Sequence, residues 1–178
     1  LAILIPAEGE RALGEATYGH IREALDETGL NPLEICKAPQ GSAVLARLVT
    51  DLSGKRAFRQ DVTVSVLDHK MVNAFALPGG FVVIFRGLID AADGPDEVAA
   101  VLAHGVLAQA GINPGALGDM FENLRNRHGD SKGVTAHFLS HPSLGTRIDA
   151  AWAVVNADAD YAPSMTDEEW KALQGICG

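Results

Sequence analysis

The fold is decided by residues 72–104, which read VNAFALPGGFVVIFRGLIDAADGPDEVAAVLAH. Two apolar segments of this stretch, Val72–Leu77 and Phe81–Phe85, predict β-strands. The sequence Pro78-Gly79-Gly80 between them is typical of a tight turn, with positive φ at the glycines. The two strands are therefore predicted to form a β-hairpin.

Helices are predicted after the hairpin. A short helix over Gly87–Ala92 precedes Asp93-Gly94-Pro95-Asp96, where Pro95 suits the first turn of a new helix. That new helix is predicted from Glu97 to His104, because apolar residues recur on one of its faces.

Apolar patterns on both sides of this stretch predict further elements. Glu8–Glu27 and Ser42–Leu52 are predicted as helices, and Gln60–Leu67 as a half-buried strand with alternating valines. The predicted buried sides are Leu13, Ala16, Ile21 and Leu25 in the first helix, and Val44, Leu45, Leu48 and Leu52 in the second. Later helices are predicted over Asn113–Arg127, after Ser140-His141-Pro142-Ser143 and after Thr166-Asp167-Glu168-Glu169. Many helices around a small sheet indicate the α+β class.

Composition sets limits on function. The chain has 178 residues, a length typical of one domain, so residues 1–178 are predicted to form a single domain. Its net charge of −9 makes nucleic acid an unlikely partner. No apolar run is long enough to span a membrane. The chain starts at Leu1 without a Met, so a signal peptide or membrane anchor upstream and a clipped end both stay open.

The two cysteines, Cys36 and Cys177, lie far apart in the sequence and do not form a CxxC pair. Either both are free thiols, or one disulfide ties the C-terminal end to the body of the domain. A disulfide would also indicate an oxidising compartment.

The ordered motifs of the central stretch resemble those of one enzyme family. Asn73-Ala74-Phe75, Leu77-Pro78-Gly79-Gly80 and Asp96–His104 follow one another as in the zinc metallopeptidase family of the CAAX prenyl protease, HtpX and BepA. Ala110–Pro114 and Ser140–Arg147 resemble later signatures of that family. The resemblance implies a zincin-like α+β metallopeptidase domain, with helices around a small mixed sheet and the hairpin at the substrate cleft.

The chain departs from the family pattern where the chemistry would lie. His104 matches the first zinc ligand, but Gly105 stands where the family has its catalytic Glu, and Ala108 where it has its second His. The later Glu ligand is also absent from its expected place. Either the chain is a degenerate homologue, or a segment is missing between His104 and Gly105. Residues 105–114 resemble the end of the family's later ligand helix, which favours the missing segment.

Four candidate site residues follow from the resemblance. His104 is predicted to bind the metal. Asn73 and Ala74 are predicted to bind the substrate backbone, although Asn73 would equally satisfy a strand edge. His141 would contact zinc, the oxyanion or the substrate, or else cap a helix.

A metal pair of His137 and His141 is disfavoured because Pro142 opposes helical geometry at His141. The surroundings of His20, His69 and His128 indicate plain surface histidines.

The resemblance implies a zinc-dependent metalloendopeptidase that hydrolyses protein or peptide substrates with zinc-activated water. The family role implied is protein quality control, and the location implied is periplasmic or membrane-associated. The chain of 178 residues itself lacks the general base and two ligands, so it is expected to be inactive without further residues. The alternative is a catalytically inactive homologue that acts as a peptide-binding or protein-binding module.

Overall fold

The computed structural model describes residues 6–26, 28–54, 61–106 and 163–178. The chain divides into two compact units, one of Leu1–Asp90 with Asp167–Gly178 and the other of Ala91–Thr166. The prediction that residues 1–178 form one domain stays a prediction. Among the described residues, no helix combines the length and the apolar character needed to cross a membrane.

The described elements are five α-helices, four strands and one 3₁₀ turn. In chain order they are α1 (Ala7–Ala24), β1 (Ile35–Cys36), α2 (Pro39–Ser53), β2 (Thr63–Leu67), β3 (Ala74–Leu77), a 3₁₀ turn (Pro78–Gly80), β4 (Phe81–Phe85), α3 (Arg86–Ala91), α4 (Pro95–Val106) and α5 (Asp167–Gln174). The α+β class is confirmed. The helices predicted over Asn113–Arg127 and after Ser143 lie outside the described residues.

The four strands form one mixed sheet in the order β1-β2-β4-β3. β2 and β4 are parallel, while β1 pairs with β2 and β3 pairs with β4 in antiparallel fashion. The predicted hairpin is therefore confirmed as β3, the turn and β4. It places β3 at one end of the sheet.

The sheet is covered on both faces near its centre. All five residues of β4 are buried. On β2, the neighbouring side chains of Val66 and Leu67 point to opposite faces, yet they are 1% and 0% exposed. The prediction of a half-buried strand is therefore wrong at this end of β2.

Helix α1 covers one face of the sheet with a side that is only partly the predicted one, because Ile21 and Leu25 pack there as predicted and Leu13 and Ala16 do not. Leu13 is 49% exposed, and Ala16 is also exposed, so both were wrongly predicted as buried. Gly14 is buried instead. The residues of α1 that pack against the apolar cluster of Leu67, Val83 and Phe85 are Tyr18, Ile21 and Leu25. Gly14 lies on the same side of α1, four positions before Tyr18. Because Gly14 has no side chain, α1 can lie close to the turn at Pro78–Gly80.

Helix α2 packs against α5 at the other end of the same unit. The predicted face of α2 is confirmed, since Val44, Leu45, Leu48 and Leu52 are all buried. Arg47 of α2 donates from Nε to Glu169 of α5 at 2.7 Å. A Cβ added to Gly41 would lie 2.6 Å from the carbonyl oxygen of Ala172, so the two helices meet closely.

Cys36 and Cys177 form a disulfide across 141 positions of sequence. It joins β1, at the edge of the sheet, to the residues that follow α5. The disulfide reading of the two cysteines is therefore confirmed.

Candidate functional site

The hairpin strand β3 forms one outer edge of the sheet. Among the described strands, β3 pairs only with β4. Its residue Ala76 is exposed and Ala74 is half-buried. An edge strand of this kind presents backbone N–H and C=O groups that another chain can pair with.

The hydrogen-bond pattern shows which residues of β3 face that edge. The N–H of Phe85 donates to the carbonyl oxygen of Asn73 at 3.1 Å, and the register pairs Ala74 with Ile84. In an antiparallel ladder, alternate residues direct their backbone groups to the same side. Asn73, Phe75 and Leu77 therefore face β4, and Ala74 and Ala76 face outward.

The first of the outward groups already has a partner. The N–H of Ala74 donates to Oδ1 of Asn73 at 2.9 Å. The Asn73 amide thus satisfies a donor at the strand edge, as one of the two readings of this residue expected. Its part in substrate binding stays a prediction, as does that of Ala74.

Helix α1 fixes the turn that positions β3. Gly79 and Gly80 have φ of 74° and 83°, which confirms the predicted positive φ. A Cβ added to Gly79 would overlap the backbone of Arg11, and one added to Gly14 would overlap the carbonyl oxygen of Pro78. Because backbone meets backbone at this crossing, the hairpin has little freedom to shift along α1.

The loop before β3 packs over the start of α3. The N–H of Gly87 donates to the carbonyl oxygen of His69 at 3.0 Å, and a Cβ at Gly87 would overlap the Lys70 carbonyl. The N–H of Met71 donates to Nδ1 of His69 at 3.1 Å. The His69 ring stands edge-on to Phe85, with centroids 5.7 Å apart. His69 is half-buried, so its prediction as a surface histidine is wrong, whereas His20 is exposed as predicted.

A small ion-pair network lies beside this loop. Arg86 donates from Nε to Asp68 at 2.6 Å and from Nη1 to Asp90 at 2.9 Å. The hydrogen bond to Asp68, more than any other interaction, raises the pKa of Arg86. The guanidinium is therefore firmly charged, and it joins the end of β2 to α3.

The acidic residues in the first turn of α4 accept hydrogen bonds from backbone N–H groups. The N–H of Asp93 donates to Glu97 Oε2 at 3.0 Å, and the N–H of Ser164 donates to Asp96 Oδ1 at 2.8 Å. Glu97 is only 6% exposed. His104 follows Glu97 by seven positions, which is about 10 Å along a helix axis. Glu97 is therefore too far along α4 to replace the missing general base beside His104.

His104 lies in the last described turn of α4, where the backbone of Gly105 is also helical. A His-Glu-x-x-His motif needs a helix here, since residues i and i+4 then share a helix face. Gly105, however, has no side chain to act as a base, and Ala108 offers no metal ligand. Ala108 and His141 lie outside the described residues.

The donors among the described residues do not fit a catalytic zinc site. Three protein ligands are the usual requirement for such a site, and the motif here supplies the single imidazole of His104. Among the described side chains, one group of three potential ligands lies close together: Cys36, Asp68 and Cys177. Its two cysteines form the disulfide, so it is no substitute for the histidine site.

Helices with a small mixed sheet and an edge hairpin are compatible with a metallopeptidase domain. Residues 39–106 match the model of peptidase family M48. This match covers less than half of the chain, and it supports the family that the motifs resemble. No curated protein matches the chain significantly.

Sequence reasoning missed two features of the site region. The outward direction of Ala76 depends on the hydrogen-bond phase of the hairpin, and alternation of apolar residues does not reveal that phase. The approach of Asp68 to the two cysteines depends on the pairing of β1 with β2. That Asp68 directly follows the predicted strand ending at Leu67 was the one available signal.

Proposed function

We propose that the protein is a zinc-dependent metalloendopeptidase whose β3 holds an extended protein or peptide substrate as an added strand. The observation that carries this proposal is the outward direction of the backbone groups of Ala74 and Ala76, within a segment of peptidase family M48. Main-chain pairing of this kind accepts many sequences, because it reads backbone rather than side chains. Such tolerance suits protein quality control in a periplasmic or membrane-associated setting, and the acidic chain does not suit nucleic acid.

His104 is proposed as the one metal ligand that this chain of 178 residues contributes from the motif. The general base and the other ligands are proposed to lie in a segment that belongs between His104 and Gly105. The resemblance of residues 105–114 to the end of the family's later ligand helix supports this proposal. Hydrolysis is accordingly proposed for the protein with that segment, and zinc as its cofactor.

A second candidate function is a peptide-binding module that does not cleave. Gly105 and Ala108 favour it, because neither residue offers a base or a ligand. In this case β3 would bind extended peptides in the same way, and the protein would hold its partners without hydrolysing them.

The two functions are separated by comparing the protein purified from its natural source with a synthetic chain of these 178 residues. The natural protein is expected to contain about one zinc per chain and to hydrolyse casein in a reaction that EDTA abolishes. The synthetic chain is the matched control, and it is expected to bind zinc weakly at His104 and to cleave nothing. Zinc-free natural protein that binds extended peptides without cleavage would establish the binding module. EDTA-sensitive cleavage by the synthetic chain would contradict the proposed missing segment.

A further inference from the structure

We infer that the reduced form of the protein binds a thiophilic divalent cation, such as Zn²⁺ or Cd²⁺, through Cys36, Cys177 and Asp68. This site is separate from the His104 motif and does not rest on the proposed peptidase function. One ligand atom from each of the three residues lies within 4.8 Å of the other two. Two thiolates and a carboxylate form a suitable three-ligand set for zinc, with water in the fourth position.

Both cysteines are held in place by interactions other than the disulfide. Cys36 pairs with Val66 in the sheet and is 8% exposed. The C-terminal end is held because the N–H of Ala38 donates to the carbonyl oxygen of Ile176 at 2.9 Å. Ile176 itself is 1% exposed. The two thiols are therefore expected to stay close together after reduction.

The geometry needs only a small adjustment to accept a metal. Two sulfurs on a tetrahedral zinc stand about 3.8 Å apart, given zinc–sulfur bonds of about 2.3 Å. Cys177 is half-buried, so its side chain has room to turn and reach that separation. Asp68 accepts a hydrogen bond from Arg86 at one oxygen. Since a carboxylate offers about four lone-pair positions, Asp68 keeps others for a cation.

The reduction step is chemically balanced. A phosphine takes up oxygen from water and becomes the phosphine oxide, while the two hydrogens of that water end on the two sulfurs of the cleaved disulfide. The cation then binds as both thiols lose their protons. In the disulfide form the same sulfurs carry no negative charge and hold no cation.

The site can be tested by Cd²⁺ titration of the oxidised protein and of protein reduced with TCEP in the cold, followed by cadmium–thiolate absorption in the ultraviolet. One thiolate-bound Cd²⁺ per reduced chain and none per oxidised chain is the expected result. Asp68→Asn should weaken the binding by about tenfold or more, and Cys177→Ser should abolish it. Asp90→Asn is the matched control, because it removes the other carboxylate that contacts Arg86 and leaves all three ligands.

His104→Ala is expected to leave the cadmium–thiolate absorption unchanged, because His104 is not one of the three ligands of this site. The inference is overturned by reduced protein that binds no Cd²⁺, by equal binding in Asp68→Asn, or by loss of the far-ultraviolet circular dichroism of the fold on reduction. Loss of binding in His104→Ala would also overturn it. None of these outcomes bears on whether the natural protein cleaves casein, so failure here is distinct from failure of the proposed function.

Discussion

Gly14 of α1 lies directly against the carbonyl oxygen of Pro78, with no room between them for a Cβ atom. The same added atom would lie 2.8 Å from Cδ2 of Phe81. Pro78 follows the edge strand β3, and Phe81 begins β4. Through this contact a helix outside the segment that matches the family sets the position of the strand proposed to hold substrate.

The Gly14 contact predicts opposite effects for two Gly→Ala substitutions in α1. Gly14→Ala should lower the free energy of unfolding by about 1–3 kcal/mol, because backbone must move to make room. Gly19→Ala is the control, since a Cβ there meets nothing within 4 Å. It should raise the free energy of unfolding by about 0.5–1 kcal/mol through helix propensity. Urea unfolding of both variants measures this, and a neutral Gly14→Ala would contradict the close approach.

Because the backbone groups of Ala76 face away from β4, Ala76→Pro is predicted to weaken peptide binding while leaving the sheet intact. Proline removes the N–H of residue 76, which makes no bond within the sheet because it faces outward. Binding of an extended peptide should weaken by about tenfold, as expected for one lost hydrogen bond. Fluorescence anisotropy with a labelled casein peptide measures the affinity.

Two further variants control for this effect. Ala76→Thr keeps the N–H and should bind the peptide normally. Phe75→Pro removes an N–H that faces β4 and should destabilise the sheet. If Ala76→Pro destabilised the protein as much as Phe75→Pro does, the assignment of the Ala76 N–H to the outer side of β3 would be wrong.

Reduction of the Cys36–Cys177 disulfide should destabilise the protein by about 3–5 kcal/mol, because the closed loop is long. The two cysteines are 141 positions apart. Urea unfolding at low temperature, with and without TCEP, measures the change. Cys177→Ser should match the reduced wild-type protein and should not respond to TCEP. An unchanged unfolding midpoint on reduction would show that the disulfide contributes nothing to stability.

Glu97 is predicted to act at the start of α4 and not in catalysis. Glu97→Ala should cost about 1 kcal/mol or more of stability, since the N–H of Asp93 loses its acceptor. Glu97→Gln keeps an oxygen acceptor and should cost less. In the natural protein, casein hydrolysis should survive Glu97→Gln. Complete loss of hydrolysis in a folded Glu97→Gln protein would instead place this carboxylate in the reaction.

Much of the described fold could be predicted from local sequence. The strand Phe81–Phe85, the turn with two positive-φ glycines and the start of a helix at Pro95 all depend on short-range preferences, and all three are confirmed. The predicted buried side of α1 was right at Ile21 and Leu25 but wrong at Leu13, which was chosen for its hydrophobicity. The residue that the fold needs there is one without a side chain, Gly14, and the need arises from a turn far along the chain.

The candidate site was less predictable, for physical reasons. The family motifs located Asn73, Ala74 and His104, but pairing between strands determines which backbone groups face outward. Half-burial of His69 also depends on the loop that crosses Gly87, a contact that no periodic pattern encodes. Gly105 and Ala108 stand where the family has its catalytic Glu and second His, so the sequence alone left both a degenerate homologue and a missing segment open.

The proposal that a catalytic segment belongs between His104 and Gly105 is tested most directly by tandem mass spectrometry of tryptic peptides from the natural protein. No Lys or Arg lies between Arg86 and Arg125, so a chain in which Gly105 directly follows His104 would yield one peptide over residues 87–125 that crosses the junction. The proposed missing segment predicts that this peptide is absent and that a peptide with His104 followed by Glu is found in its place. Detection of the intact peptide over residues 87–125 would contradict it and would leave the non-cleaving binding module as the function.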